Sequence, residues 1–115
     1  MNIASDPKSI PAGNLISPEA NQAAELAAAT GVLTVDLDAI VANWRMMQRR
    51  VAPAHAAAVV KADAYGLGAG RVAAALAKAG CNRFYVAWPQ EGANLRRQLG
   101  PAPEILVFHG VTADT

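Results

Sequence analysis

One lysine of this sequence follows an apolar run and directly precedes a turn that contains two glycines. The run is Ala56 to Val60, the lysine is Lys61, and the turn contains Tyr65, Gly66 and Gly68. An amine with an apolar approach is partly removed from water, which favours its neutral form, the nucleophile that makes an imine with a carbonyl group. A phenol donates hydrogen bonds, and glycine backbone lets an anion come close. These residue types predict imine chemistry beside an anion-binding turn.

Pyridoxal phosphate is a cofactor that needs both of these functions, an imine partner and a place for a phosphate. The residues alone leave two other interpretations open: Lys61 can be a solvated lysine at the end of a strand, and Gly66 and Gly68 can be purely structural. The glycines match neither a Walker motif, which needs a lysine followed by serine or threonine, nor a dinucleotide-binding fingerprint.

The surrounding sequence predicts alternating strands and helices that position this stretch. Predicted strands cover residues 56–61, 84–88 and 104–108, and predicted helices cover residues 69–79 and run from Pro89 to Gly100. Because such alternation is typical of βαβ units, we expect an α/β fold with a parallel sheet. Ligands bind at the carboxyl ends of parallel strands. Lys61, Trp88 and His109 are therefore expected to share one rim of the sheet.

The N-terminal part of the chain predicts less structure. Residues 1–16 show no periodicity and are expected to form a flexible leader, after which Ser17 can cap a short helix over residues 21–29. Residues 32–37 are rich in β-branched residues and predict a strand. Asp38 then caps a predicted helix with an apolar face at Ile40, Val41, Trp44, Met47 and Val51. We expect a leader over residues 1–30 and a folded domain over residues 31–115.

Composition excludes several classes of function. A net charge of +1 over 115 residues gives no basic surface for nucleic acid, and no segment predicts a membrane span or a signal peptide. Cys81 is the single cysteine, and no histidines or cysteines have metal-ligand spacing. These features favour a cytoplasmic protein without a metal site.

The stretch from Val59 to Gly68 closely resembles the signature around the cofactor lysine of the alanine racemases, which are fold-type III pyridoxal phosphate enzymes. The resemblance runs from about Leu33 to Gly110 and includes the flanking strands and helices. It implies the first βα units of a TIM-like (β/α)8 barrel, incomplete here and preceded by an extra N-terminal strand. The family often has histidine where this chain has Leu67, a departure that touches no assigned role.

The resemblance also implies a function: interconversion of L-alanine and D-alanine, which supplies D-alanine for peptidoglycan. It implies that Lys61 holds pyridoxal phosphate and serves as one acid/base group, and that Tyr65 hydrogen-bonds the cofactor phosphate. Full-length members are homodimers whose second base is a tyrosine from a later domain. Because that domain is missing from these residues, the chain alone is expected to be inactive.

Several alternatives stay open at this point. The chain can be a non-catalytic pyridoxal phosphate-binding module or part of a racemase of broader amino-acid specificity. Three parallel strands with open edges also tend to aggregate, so the isolated chain is expected to be unstable. Asp63 is interpreted as a solvated turn residue rather than a charge partner. Trp88 and His109 are interpreted as structural, and Cys81 as an inert thiol.

Overall fold

The computed structural model describes residues 17–114, and the chain divides into two compact units, residues 1–34 and 35–115. In the first unit, helix α1 (Pro18–Ala28) begins after Ser17, whose hydroxyl accepts a hydrogen bond from the Ala20 amide at 3.1 Å. The predicted serine cap is therefore confirmed. All residues of α1 are exposed. The leader predicted over residues 1–16 lies outside the described residues.

The strand predicted over residues 32–37 is wrong, because residues 31–36 form neither helix nor strand. A strand needs a hydrogen-bonded neighbour, and no strand of the described residues pairs with this segment. Leu33 is accordingly 75% exposed. The next helix, α2 (Leu37–Val51), is capped by Asp36, whose carboxylate accepts a hydrogen bond from the Ala39 amide at 3.0 Å. The predicted cap, Asp38, instead lies in the first turn of α2.

Helix α2 is fastened to the segment that enters the sheet. The indole Nε1 of Trp44 donates a hydrogen bond to the Ala56 carbonyl at 2.9 Å. The Gln48 amide group donates to the Ala54 carbonyl at 2.9 Å and accepts from the Ala56 amide at 2.7 Å. These bonds set the start of the strand that leads to Lys61.

Three short parallel strands form one sheet in the order β1–β2–β3. They are β1 (Ala58–Val59), β2 (Arg83–Val86) and β3 (Glu104–Val107), and the helical elements between them are α3 (Lys61–Tyr65), α4 (Ala69–Lys78) and α5 (Pro89–Leu99). The parallel α/β fold predicted from the sequence is confirmed, with sequential βα units as in a barrel. Strand β1 is shorter than predicted, and Lys61 begins α3.

The core lies between the sheet and the helices. Its buried members include Phe84 and Val86 from β2, Ala73 and Leu76 from α4, and Leu95 from α5. Alternate residues of a strand point to opposite faces, so one face of the sheet packs on helices. We call it the covered face and the other the open face. No helix of the described part of the chain is long and apolar enough to cross a membrane.

Candidate functional site

The element that carries Lys61 is a single turn of left-handed helix. Its residues Ala62, Asp63, Ala64 and Tyr65 all have positive φ, between 50° and 57°. Left-handed helix brings Cβ too close to the following carbonyl oxygen and costs roughly 1–2 kcal/mol per residue. The sequence predicted only a glycine-containing turn here, because non-glycine residues carry little local signal for positive φ. The surrounding structure must therefore hold the turn in place.

Backbone hydrogen bonds close the turn. The Ala64 amide donates to the Val60 carbonyl at 3.0 Å, and the Gly66 amide donates to the Ala62 carbonyl at 3.0 Å. Ala64 is also buried. Gly66 and Gly68 continue the positive φ, at 86° and 99°, where glycine avoids the clash of a side chain. Both glycines therefore have a structural role in shaping the turn.

Asp63 joins this turn to the next helix. Its carboxylate accepts a hydrogen bond from the Ala69 amide at 2.8 Å, and Ala69 is the first residue of α4. The N-cap of α4 is Gly68, which has no side-chain acceptor, so Asp63 satisfies an amide at this helix end from upstream. Asp63 is exposed and forms no ion pair among the described residues, which agrees with its interpretation as a solvated turn residue; its hydrogen bond to Ala69 is an additional role that the sequence did not predict.

Lys61 lies on the open face, between two aromatic rings. Its Nζ is 6.0 Å from the centre of the Tyr65 ring and 5.8 Å from the centre of the Phe108 ring. An ammonium group at this distance from a ring is attracted by the negative face of the π system. The Phe108 ring in turn stacks on Tyr85 at 5.0 Å. Lys61 is half-buried as a residue, and its amine lies near aromatic surface.

Tyr65 lies four residues after Lys61, at the end of the same turn. Because one helical turn contains 3.6 residues, residues four apart return to the same side of the turn. The side chain of Tyr65 is 64% exposed, so its phenol is available to a ligand. The structure therefore brings together the amine and the phenol that the sequence singled out.

The other two predicted rim residues pair with each other. The rings of Trp88 and His109 stack at 3.8 Å, with 10° between their planes. Besides Tyr65, the ring beside Lys61 is that of Phe108, which the sequence did not predict. Alternation along β3 could have placed Phe108 on the same face as Leu106, but its proximity to Lys61 depends on how three strands are aligned.

A second residue missed by sequence reasoning is Glu91, in the first turn of α5. Its Oε2 accepts a hydrogen bond from the Ala62 amide at 2.6 Å. Its Oε1 accepts from the Ala87 amide at 2.9 Å and from the Trp88 amide at 3.0 Å. The sequence signal was an acid near a helix start, which predicts capping but no contact with the lysine turn.

Backbone donors also set the charge state of Glu91. Desolvation acts to raise the pKa of its carboxyl group, but hydrogen bonds from the amides of Trp88, Ala62, Ala87 and Asp63 outweigh it and lower the pKa. These hydrogen bonds therefore favour the charged form of Glu91. Burial raises the pKa of the Cys81 thiol, which agrees with its interpretation as inert.

Comparison with known proteins finds one family over this domain. The family model for "Alanine racemase, N-terminal domain" matches residues 35–115. The alanine racemase of Jannaschia sp. is 62% identical over 82 residues, which cover 71% of this chain and 24% of that protein. A catabolic alanine racemase of Mesorhizobium japonicum is 48% identical and covers 74% of this chain and 22% of its own length.

A solved structure is similar over the same region. The crystal structure of alanine racemase from Bartonella henselae with covalently bound pyridoxal phosphate superimposes with a TM-score of 0.66 at 44% identity. The match covers 69% of this chain and 23% of that protein. The chain therefore spans about a quarter of the length of the relatives that it matches.

Proposed function

We propose that this chain, which belongs to the alanine racemase N-terminal domain family, is the cofactor-anchoring part of a pyridoxal phosphate-dependent enzyme that interconverts L-alanine and D-alanine. One observation carries the proposal: the left-handed turn presents the Lys61 amine and the Tyr65 phenol together on the open face of the sheet. The names of the relatives support alanine as the substrate.

The residues of the turn fit pyridoxal phosphate in their chemistry. An amine that makes an imine and an exposed phenol that donates a hydrogen bond to a phosphate oxygen are both present, with Nζ 6.0 Å from the phenol ring centre. Beyond Tyr65, a Cβ placed on Gly66 or Gly68 would meet no other atom within 4 Å, so the backbone there is open to a ligand. Lys61 would bind the cofactor covalently, and Tyr65 would hold its phosphate.

Racemisation removes the Cα proton of an amino acid from one face and returns it on the other. When bound, pyridoxal phosphate supplies an electron sink that acidifies this Cα–H bond. Lys61 Nζ would accept or donate the proton on one face, and α3 fixes the backbone from which it acts. The ring of Phe108 borders the amine on the open face and is held there by stacking on Tyr85.

A group on the opposite face is also required. The two tyrosines of this sequence are Tyr65 and Tyr85; the first is assigned to the phosphate, and the second is half-buried in β2 against Phe108. We therefore assign the second base to the part of the racemase that these residues do not include, contributed within a homodimer. The unpaired Cys81 supports a reducing, cytoplasmic location.

Trapping the cofactor tests this proposal. The chain is incubated with pyridoxal phosphate, reduced with borohydride and mapped by mass spectrometry, with Lys61→Arg as the matched variant. We expect a visible absorption band that reduction removes, and a label on the Lys61 peptide that is absent in Lys61→Arg. Equal labelling of Lys61 and Lys78, or no label at Lys61, would contradict the proposal.

The isolated chain is expected to show this label without racemising alanine. A conversion of D-alanine to L-alanine by the chain alone, lost in Lys61→Ala, would contradict the assignment of the second base elsewhere. Labelling without racemisation, even in a longer protein that contains the chain, would indicate a non-catalytic binding module.

A further inference from the structure

Glu91 connects the ends of two neighbouring strands. Its Oε2 accepts from Ala62, three residues after the end of β1, and its Oε1 accepts from Ala87 and Trp88, the first two residues after the end of β2. The contact between Ala62 and Glu91 spans 29 positions of the chain and measures 2.6 Å. One side chain therefore ties the lysine turn to the second βα junction.

Capping of α5 explains only part of this arrangement. In a capping box, the acid at the third helical position reaches back to the backbone amide of the cap residue, and the bond from Trp88 does this. A single oxygen is enough for that bond. The other oxygen of Glu91 accepts a hydrogen bond from the Ala62 amide. Helix α5 does not need this second bond for its own capping.

The Ala62 amide is the point at which the turn changes hand. Val60, just before the turn, has φ −123°, whereas Ala62 has φ 50° and the next three residues are also positive. The Ala62 amide is fastened by Glu91. Loss of this bond lets the start of the turn relax toward the right-handed region, which L-residues prefer.

We propose that Glu91 is a positioning residue for Lys61: its carboxylate holds the Ala62 amide and so keeps the left-handed turn that presents Lys61 and Tyr65 on one side. The cofactor part of this inference rests on the proposed function above. The lowered pKa of Glu91 supports it, since a carboxylate is a stronger acceptor than a neutral acid.

Three variants separate positioning from capping. Glu91→Gln keeps the size of the side chain but removes its charge. Glu91→Asp keeps an acid that can cap α5 but is one methylene too short to span both strand ends. Glu104→Gln is the matched control, because Glu104 is an exposed carboxylate whose partner is Arg83.

Amide hydrogen exchange measures the stability of the hydrogen bond at Ala62 without the need for a cofactor. We expect the Ala62 amide to exchange about tenfold or more faster in both Glu91 variants, because a charge-assisted hydrogen bond is lost. The Val72 amide in α4 serves as an internal reference and is expected to change little in Glu91→Asp. Unchanged Ala62 exchange, or an equal rise at Val72, would overturn the proposal.

Cofactor trapping on the same variants measures whether loss of the Glu91 bond lowers the reactivity of Lys61 with pyridoxal phosphate. We expect the yield of borohydride-trapped label at Lys61 to fall about tenfold or more in Glu91→Gln and Glu91→Asp, and to stay at the wild-type level in Glu104→Gln. If wild type labels Lys61 and both Glu91 variants do so equally well, the positioning role is wrong while the proposed function stands. If wild type takes no label, the proposed function fails, and the exchange result alone decides whether Glu91 holds the turn.

Discussion

The two faces of the three-stranded sheet differ in what they bury. On the covered face, Phe84 is 0% exposed and Val86 1% exposed, packed beneath α4 and α5. On the open face, Val59 is 41% and Phe108 56% exposed, and Lys61 lies beside Phe108. Because burial of apolar surface is the main stabilising term in folding, the covered face supplies stability.

The open face holds the groups that can do chemistry. At the end of β1, Val59 is exposed and Val60 is buried in the core, and the Lys61 amine lies beside Phe108 on the open face. The residue that a ligand must reach is thereby joined directly to a residue that anchors the strand. This small domain therefore keeps its buried core and its candidate chemistry on opposite faces of one sheet.

Truncation of one aromatic residue on each face tests most directly whether the two faces differ in their contribution to stability. We expect Phe84→Ala to lower the free energy of unfolding by roughly 3–5 kcal/mol, because it leaves a cavity in the core. Phe108→Ala, on the open face, is expected to cost only about 0.5–1.5 kcal/mol from its stacking on Tyr85. Urea unfolding measures both, and equal losses would mean that the open face is also part of the core.

Alanine-to-glycine substitutions distinguish the backbone of the lysine turn from that of a right-handed helix on the covered face, because their effects on stability are expected to have opposite signs. Ala62→Gly is expected to stabilise the domain by about 1 kcal/mol, since glycine relieves the strain of positive φ and keeps the amide that binds Glu91. The matched change Ala74→Gly, at an exposed position of α4, is expected to destabilise by a similar amount, about 1 kcal/mol. Opposite signs in thermal unfolding are the signature of the left-handed turn.

The pH dependence of the free energy of unfolding tests the hydrogen bonds that Glu91 accepts at the carboxyl ends of β1 and β2. Its pKa is lower in the folded state than its usual value, so the folded state binds fewer protons than the unfolded state near that pH. The stability that Glu91 contributes is therefore present above its unfolded pKa of about 4.3 and is lost as pH falls through the lower folded pKa.

Urea unfolding of wild type and Glu91→Gln between neutral and acidic pH isolates this contribution. We expect the midpoint of wild type to fall more steeply than that of the variant. Parallel pH profiles would contradict the role of the Glu91 carboxylate in stability.

The smallest effect is expected from the ion pair on the open face. Arg83 and Glu104 are directly paired across β2 and β3, with Nη2 3.2 Å from Oε1 and side chains 41% and 62% exposed. Exposed ion pairs contribute little and are screened by salt. A double-mutant cycle with Arg83→Gln and Glu104→Gln is expected to give a small coupling at low salt that vanishes at high salt. A coupling that persists at high salt would indicate that this end of the open face is shielded from solvent.

The elements predicted correctly are those with strong local signals. Helix α4 and helix α5 have regular apolar faces, and Pro89 and Gly100 mark the ends of α5 as predicted. The strand expected over residues 32–37 failed because β-branched composition cannot supply a partner. The cap of α2 is Asp36 rather than the predicted Asp38, because both aspartates are residues that favour the N-cap position and the sequence alone does not distinguish them.

The candidate site divides in the same way. Lys61 and Tyr65 could be selected from the sequence, because their types and spacing carry the chemistry and resemble a known signature. Their orientation could not be predicted, since no local preference favours four consecutive non-glycine residues with positive φ. Phe108 and Glu91 reach Lys61 and Ala62 only through strand register and helix placement.

The sequence by itself determined the parallel α/β architecture, the lysine that follows the first strand and the family to which they point. These follow from apolar periodicity, turn residues and a short contiguous motif, all of which act over a few residues. Only the tertiary structure decided the hand of the turn, the ring beside the amine and the carboxylate that holds Ala62. The physical reason is that these features balance local strain against contacts made by residues distant in the chain.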